Sequence, residues 1–87
     1  MAIIEVETFE LRSDVDAFLR DDAEFQTWSY VERPGILRRT LARDRDEWAI
    51  FTWWSMVPLE PDGAVMARWR SHIEERTYVR RVYVTQD

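Results

Sequence analysis

From Ala2 to Leu11 the chain is rich in β-forming residues and alternates, the period of a β-strand with two unlike faces. Ile4, Val6 and Thr8 fall on one face, and Ile3, Glu5, Glu7, Phe9 and Leu11 on the other. The period then lengthens. Val15, Phe18, Leu19, Asp22 and Phe25 sit at helical spacing with one polar interruption. Ser13 and Asp16 stand before them as a capping box, which predicts the helix start. The helix is expected to end, or to re-form as a short turn, around Thr27 to Val31. Trp28 and Tyr30 then pack back onto the sheet.

Pro34-Gly35 breaks that pattern. Ile36 to Arg43 reads as a second strand and Trp48 to Met56 as a third. Their link, Asp44-Arg45-Asp46-Glu47, is short and charged, a hairpin without the glycine of the tightest turns. From Trp48 to Trp54 both faces are apolar, as in a strand covered above and below. Pro58 to Gly63 reads as a loop and Ala64 to Arg76 as a second helix. Val65, Trp69, His72, Ile73 and Arg76 share one of its faces, with Met66 beside them. Tyr78 to Thr85 reads as the last strand.

The order β-α-β-β-α-β predicts an α+β, ferredoxin-like domain over residues 1–87: a four-stranded antiparallel sheet with both helices on one face. The other face keeps the rings and aliphatics of the third strand and would be a large apolar patch if left open. A face-to-face homodimer closing the two sheets into a barrel is therefore expected, with a pocket between sheet and helices.

Composition sharpens this picture. A chain of 87 residues buries only ~60% of the surface its unfolded form exposes. Yet 46% of it is hydrophobic, with five tryptophans and no cysteine to staple it. The surplus calls for a partner subunit, a ring-lined pocket, or both. Acids outnumber bases 17 to 12, the wrong sign for a nucleic-acid binder. All the bases are arginine, suited to planar pairing with carboxylates. No run reaches the ~18 apolar residues of a membrane span. Met1 to Glu5 lacks the basic and long apolar regions of a signal peptide, so a cytoplasmic protein is expected.

The stretch Pro34-Gly35-Ile36-Leu37-Arg38-Arg39, the charged hairpin, and Trp48-Ala49-Ile50-Phe51-Thr52-Trp53-Trp54-Ser55 resemble the dimeric α+β barrel family, closest to its antibiotic-biosynthesis-monooxygenase branch. The resemblance covers roughly residues 2 to 56, and the remainder by element order. It implies that Trp54 lines a substrate pocket, as in the cofactor-less oxygenases. It also puts Glu7 where several oxygenases and haem degraders carry an asparagine facing the ligand. An ionised glutamate accepts hydrogen bonds but cannot donate them. Ile50 stands at a second asparagine position of the oxygenases. His72 lies further along than the histidine of the haem degraders.

Glu5 and Glu7 alternate on one face, about 7 Å apart by strand rise. Two carboxylates in one pocket repel, and burial adds to the effect. One of them would then have a raised pKa and act as a general base. The other reading pairs both with arginines across the sheet, such as Arg39, Arg80 or Arg81. Trp48 and Trp54 share a strand face with Ile50 and Thr52, either as a slot for a planar ring or as core and dimer packing. Thr52 or Arg39 would orient a ring oxygen. His72, the lone histidine, is the candidate for proton transfer. One histidine without a fixed partner makes no metal site. Ser55 has no readable triad, and no glycine-rich phosphate loop exists. No cofactor is expected.

These readings converge on a small cofactor-independent enzyme. It would take a proton from a planar aromatic substrate of the polyketide or quinol type, followed by oxygenation or cyclisation. The alternatives are a non-catalytic dimeric ligand-binding or accessory protein, and haem binding or degradation resting on His72.

Overall fold

The computed structural model describes residues 2–60 and 62–87; Met1 and Pro61, at the expected start and in the expected loop, lie outside them. The elements run β1 (Ile3–Leu11), α1 (Val15–Glu32), β2 (Ile36–Asp44), β3 (Glu47–Trp54), α2 (Ala64–Arg70) and β4 (Ile73–Val84). The strands form one antiparallel sheet in the order β2-β3-β1-β4. This is the α+β, ferredoxin-like arrangement that the element order predicts.

The odd-numbered side chains of β1 point to the helices. Phe9, Trp48, Ile50 and Ile73 from the sheet pack with Phe18 and Phe25 of α1 and Trp69 of α2 into one core. Ring-on-ring contacts run through it. Phe18 meets Trp48 edge-on at 5.1 Å between centroids, and Phe25 stacks on Trp69 at 4.9 Å. Such pairs contribute about 0.5–1.5 kcal/mol each beyond their buried area. β3 alternates strictly, with Trp48, Ile50, Thr52 and Trp54 buried and the residues between them half-buried.

The structure differs from the sequence reading at three element ends. Asp14, not Ser13, caps α1: its carboxylate accepts from the Ala17 amide at 3.0 Å. A charged carboxylate suits the positive end of a helix, and Ser13 is engaged elsewhere. α1 also runs on without a break to Glu32, where Pro34 disfavours further helix. Tyr30 is exposed on it, its hydroxyl accepting from the Arg39 amide, while Trp28 stacks on Phe25. α2 stops at Arg70, because the Ser71 hydroxyl turns back to the Arg68 carbonyl at 2.6 Å. Ile73 then pairs with Leu11, and His72, Ile73 and Arg76 leave the helix. The apolar spacing that suggested a longer helix fits a strand equally well at Ile73, and sheet pairing wins.

Both predicted breaks are used. Gly35 has φ 99°, and a Cβ there would sit 2.5 Å from Met56 Cγ. The β2–β3 hairpin turns without glycine by putting Arg45 in the left-handed region at φ 57°.

The second sheet face meets neither helix. Ile4, Trp53 and Tyr83 lie in one cross-strand row there, and Val6 and Phe51 in the next. The single chain thus covers β3 on one side only. Among the described residues, no helix is long and apolar enough to cross a membrane.

Candidate functional site

Two strands and two helices meet around a cavity of about 190 Å³. Glu5 and Glu7 enter it from β1, and Tyr78 and Arg80 from β4. Phe25 comes from α1, Arg33 from the residue after it, and Met66, Trp69 and Arg70 from α2. Leu59 and Glu60 of the loop between β3 and α2 complete the rim. Strand alternation puts Glu5 and Glu7 on the same face, and antiparallel register sets Glu7 opposite Arg80.

The two carboxylates live in different surroundings. Glu5 is buried and fully engaged. Its Oε1 accepts from Trp54 Nε1 at 3.1 Å, and its Oε2 from Arg80 Nε at 2.6 Å. That bond raises the Arg80 pKa further above its ordinary value, as expected for an ion pair. Among the described residues Glu7 has one partner only, the Tyr78 hydroxyl, which donates to its Oε2 at 2.6 Å. Burial, and then the negative charge of Glu5, raise the Glu7 pKa above the ordinary carboxylate range. The Tyr78 hydrogen bond opposes this without cancelling it. Burial, and then the Glu7 carboxylate, push the Tyr78 phenol up as well, so it remains a donor.

Arg33 is the residue that sequence reasoning missed. Its guanidinium lies 4.8 Å from the centroid of the Trp54 ring, and one of its nitrogens donates to the Leu59 carbonyl at 2.9 Å. Its buried Nε has no hydrogen-bond partner among the described residues. Desolvation lowers its pKa, while Glu5 and Glu7 pull it back. The available signal was position: an arginine at the helix end, directly before Pro34-Gly35, is carried over the sheet when the chain turns. Tyr78 and Trp69 were also missed as site residues, since each reads as ordinary core.

The other predicted residues lie elsewhere. Trp54 is fully buried outside the cavity lining and acts through contact, holding Glu5 and backing Arg33. Trp48 is six residues away on the same strand, about 20 Å along it. It borders a separate cavity with Ser13 and Arg43. The two tryptophans therefore do not form one slot. Thr52 is buried in the cross-strand row of Glu5 and Arg39. Arg39 turns to α1, where its two terminal nitrogens donate to Asp22 at 2.7 and 3.1 Å. Trp69 Nε1 donates to the same carboxylate at 2.9 Å. His72 sits at the far end, with both ring nitrogens occupied by Ser13 and Asp21. Among the described residues no cluster of histidine, cysteine and acidic side chains can hold a metal ion.

Chemically, the cavity offers a carboxyl that holds its proton more tightly than an ordinary carboxylate, a phenol donor, a guanidinium with an unused donor, and the rings of Phe25 and Trp69. No protein-family model and no curated protein matches this chain.

Proposed function

We propose that the domain is a small cofactor-independent enzyme, of the antibiotic-biosynthesis-monooxygenase type within the dimeric α+β barrels, acting on a quinol or phenol of about one ring. The observation that carries this is Glu7: a carboxyl with a raised pKa and one hydrogen bond, lining a cavity. Ionised Glu7 takes a proton from the substrate. The negative charge left on the substrate oxygen faces Arg33. Among the lining residues, Arg33, Arg70 and Arg80 balance Glu5, Glu7 and Glu60. Once Glu7 has gained the proton, one positive charge is in excess, which matches one substrate anion. The carbanion form then adds dioxygen at carbon, the peroxide takes the proton back from Glu7, and its O–O bond breaks as water leaves and a quinone carbonyl forms; in a substrate that carries its own carbonyl, the carbanion attacks that carbon instead and closes a ring.

Cavity size sets the substrate class. At 190 Å³ it falls below the ~300–1,000 Å³ of pockets for drug-sized ligands. A single ring fits this better than a tricyclic polyketide. The haem reading loses support, because neither nitrogen of His72 is free. The accessory-protein reading needs a cavity filled by the protein's own side chains, and the one at Glu7 is open.

Trp69 in the lining and Trp54 behind Arg33 report binding. Saturable quenching of tryptophan fluorescence by hydroquinone, with none by an anthrone, is the expected result. Oxygen uptake or ring closure on the bound compound should fall by about 100-fold or more in Glu7→Gln. Full turnover in that variant would remove the general-base role.

The open sheet face supports a homodimer, as in the barrel family. Trp53 and Phe51, with Ile4, Val6 and Tyr83, are the surface a second copy would cover. Sedimentation should give a dimer for the native chain and a monomer for Trp53→Glu; a native monomer at high concentration would end this reading.

A further inference from the structure

At the opposite end from Glu7, three segments bring together a serine, a histidine and an aspartate. Ser13 lies in the turn between β1 and α1, Asp21 on α1, and His72 in the turn between α2 and β4. Ser13 Oγ is 2.6 Å from His72 Nδ1, and His72 Nε2 is 2.6 Å from Asp21 Oδ2. No spacing in the sequence suggests this relay, because 51 residues separate Asp21 from His72.

The hydrogen bonds decide the tautomer. The His72 hydrogen bond holds the Asp21 carboxyl below its ordinary pKa, so it is ionised at neutral pH and accepts only. The proton of a neutral imidazole therefore sits on Nε2, and Nδ1 presents its lone pair to Ser13. The ring is also held in place. Phe18 packs edge-on against it at 5.9 Å, and the His72 carbonyl accepts from the Arg12 amide at 2.8 Å. An aspartate that orients an imidazole, whose other nitrogen faces a hydroxyl, is the arrangement of a nucleophilic serine. Here the ring is turned end for end, with Nδ1 rather than Nε2 towards the serine.

Ser13 is half-buried and lines a cavity of about 340 Å³, together with Glu10, Leu11, Val15, Arg43, Asp46 and Trp48. The next turn of chain supplies donors. Val15 and Asp16 open α1, so their amides have no partner within the helix. They are backbone donors close to Ser13 in sequence, and the charge that develops on an attacked carbonyl oxygen is assigned to them. The lining has two carboxylates against one guanidinium, which disfavours anionic substrates and admits neutral or cationic ones.

We propose that Ser13, His72 and Asp21 form a second, hydrolytic site that cleaves small uncharged or cationic carboxylic esters. Ser13 Oγ bonds to the ester carbonyl carbon while its proton passes to His72 Nδ1. The bond to the alcohol oxygen breaks, and that oxygen takes the proton from Nδ1. Water then attacks the acyl-serine, giving its proton to Nδ1. Collapse releases the carboxylic acid, and the same proton restores the Ser13 hydroxyl. The net reaction is ester plus water to acid plus alcohol. This site shares no residue with the Glu7 cavity and stands without it.

The test is labelling of the native chain with an uncharged fluorophosphonate, followed by intact mass and peptide mapping, beside turnover of p-nitrophenyl acetate. One adduct per chain at Ser13, lost when the protein is unfolded in urea, is the expected result. Asp21→Asn should slow both reactions by about 100-fold or more. No adduct at Ser13, equal labelling in urea, or an unchanged rate in Asp21→Asn would each overturn the proposal. Mapping on the native chain does not depend on any variant folding.

Discussion

Asp22 and Glu7 are both acids in the layer between sheet and helices, and their surroundings are opposite. Asp22 accepts two bonds from Arg39 and one from Trp69, tying α1 to β2 and α2. The Arg39 guanidinium also donates to Gln26 at 3.2 Å and lies against the Phe25 ring. Among the described residues Glu7, by contrast, has one hydrogen bond, and the nearby Arg33 has a buried nitrogen with none. The first cluster is closed and holds the helices in place. The second keeps unused hydrogen-bonding capacity beside a cavity. Stability and chemistry thus make different demands on the same residue types: one pairs its charges with each other, the other leaves a proton carrier and a charge exposed to a ligand.

The largest consequence of that contrast is structural. Asp22→Ala should cost about 3–5 kcal/mol, because it strands the buried Arg39 guanidinium; chemical denaturation measures it. A loss below about 1 kcal/mol would show that Asp22–Arg39 behaves as a surface pair, and the contrast would fail. Glu7→Gln should act in the other direction and only at higher pH. Folding raises the Glu7 pKa, so the native state holds the proton more tightly than the unfolded chain. The stability this contributes is complete below the unfolded value of about 4.3. It is lost as pH rises through the folded pKa. The variant should therefore match the native protein at pH 4 and exceed it at pH 8, by denaturant midpoints at both. Arg33→Met should have the smallest effect on stability, within about 1 kcal/mol, since it replaces an under-bonded buried charge by an apolar chain of similar length. It should still weaken hydroquinone binding, which titration of tryptophan fluorescence reads.

Much of the architecture was legible residue by residue. Alternation in β1 and β3 set which side chains face the helices, and this put Glu5 and Glu7 on the buried face. The breaks at Pro34-Gly35 and the charged hairpin separated the elements correctly. The end of α2 was not legible, because Val65, Trp69 and Ile73 satisfy a helical period while Ile73 belongs to β4. Local pattern cannot weigh the Ser71 cap and the pairing with Leu11 against one more helical turn. The two-tryptophan slot did not assemble for a simpler reason. A shared strand face says nothing about separation along it, and Trp48 and Trp54 serve different ends of the sheet.

The order of elements and the face of each strand follow from short-range periodicity, which steric alternation imposes on any chain with one buried face. Partnership does not. That Glu5 is neutralised by Arg80 and Trp54 while Glu7 is left with Tyr78 depends on register between strands distant in sequence. That Ser13 meets His72, and His72 meets Asp21, depends on where two turns come together at one end of the sheet. Such meetings are set by packing across the whole core, and no stretch of sequence contains both sides of them.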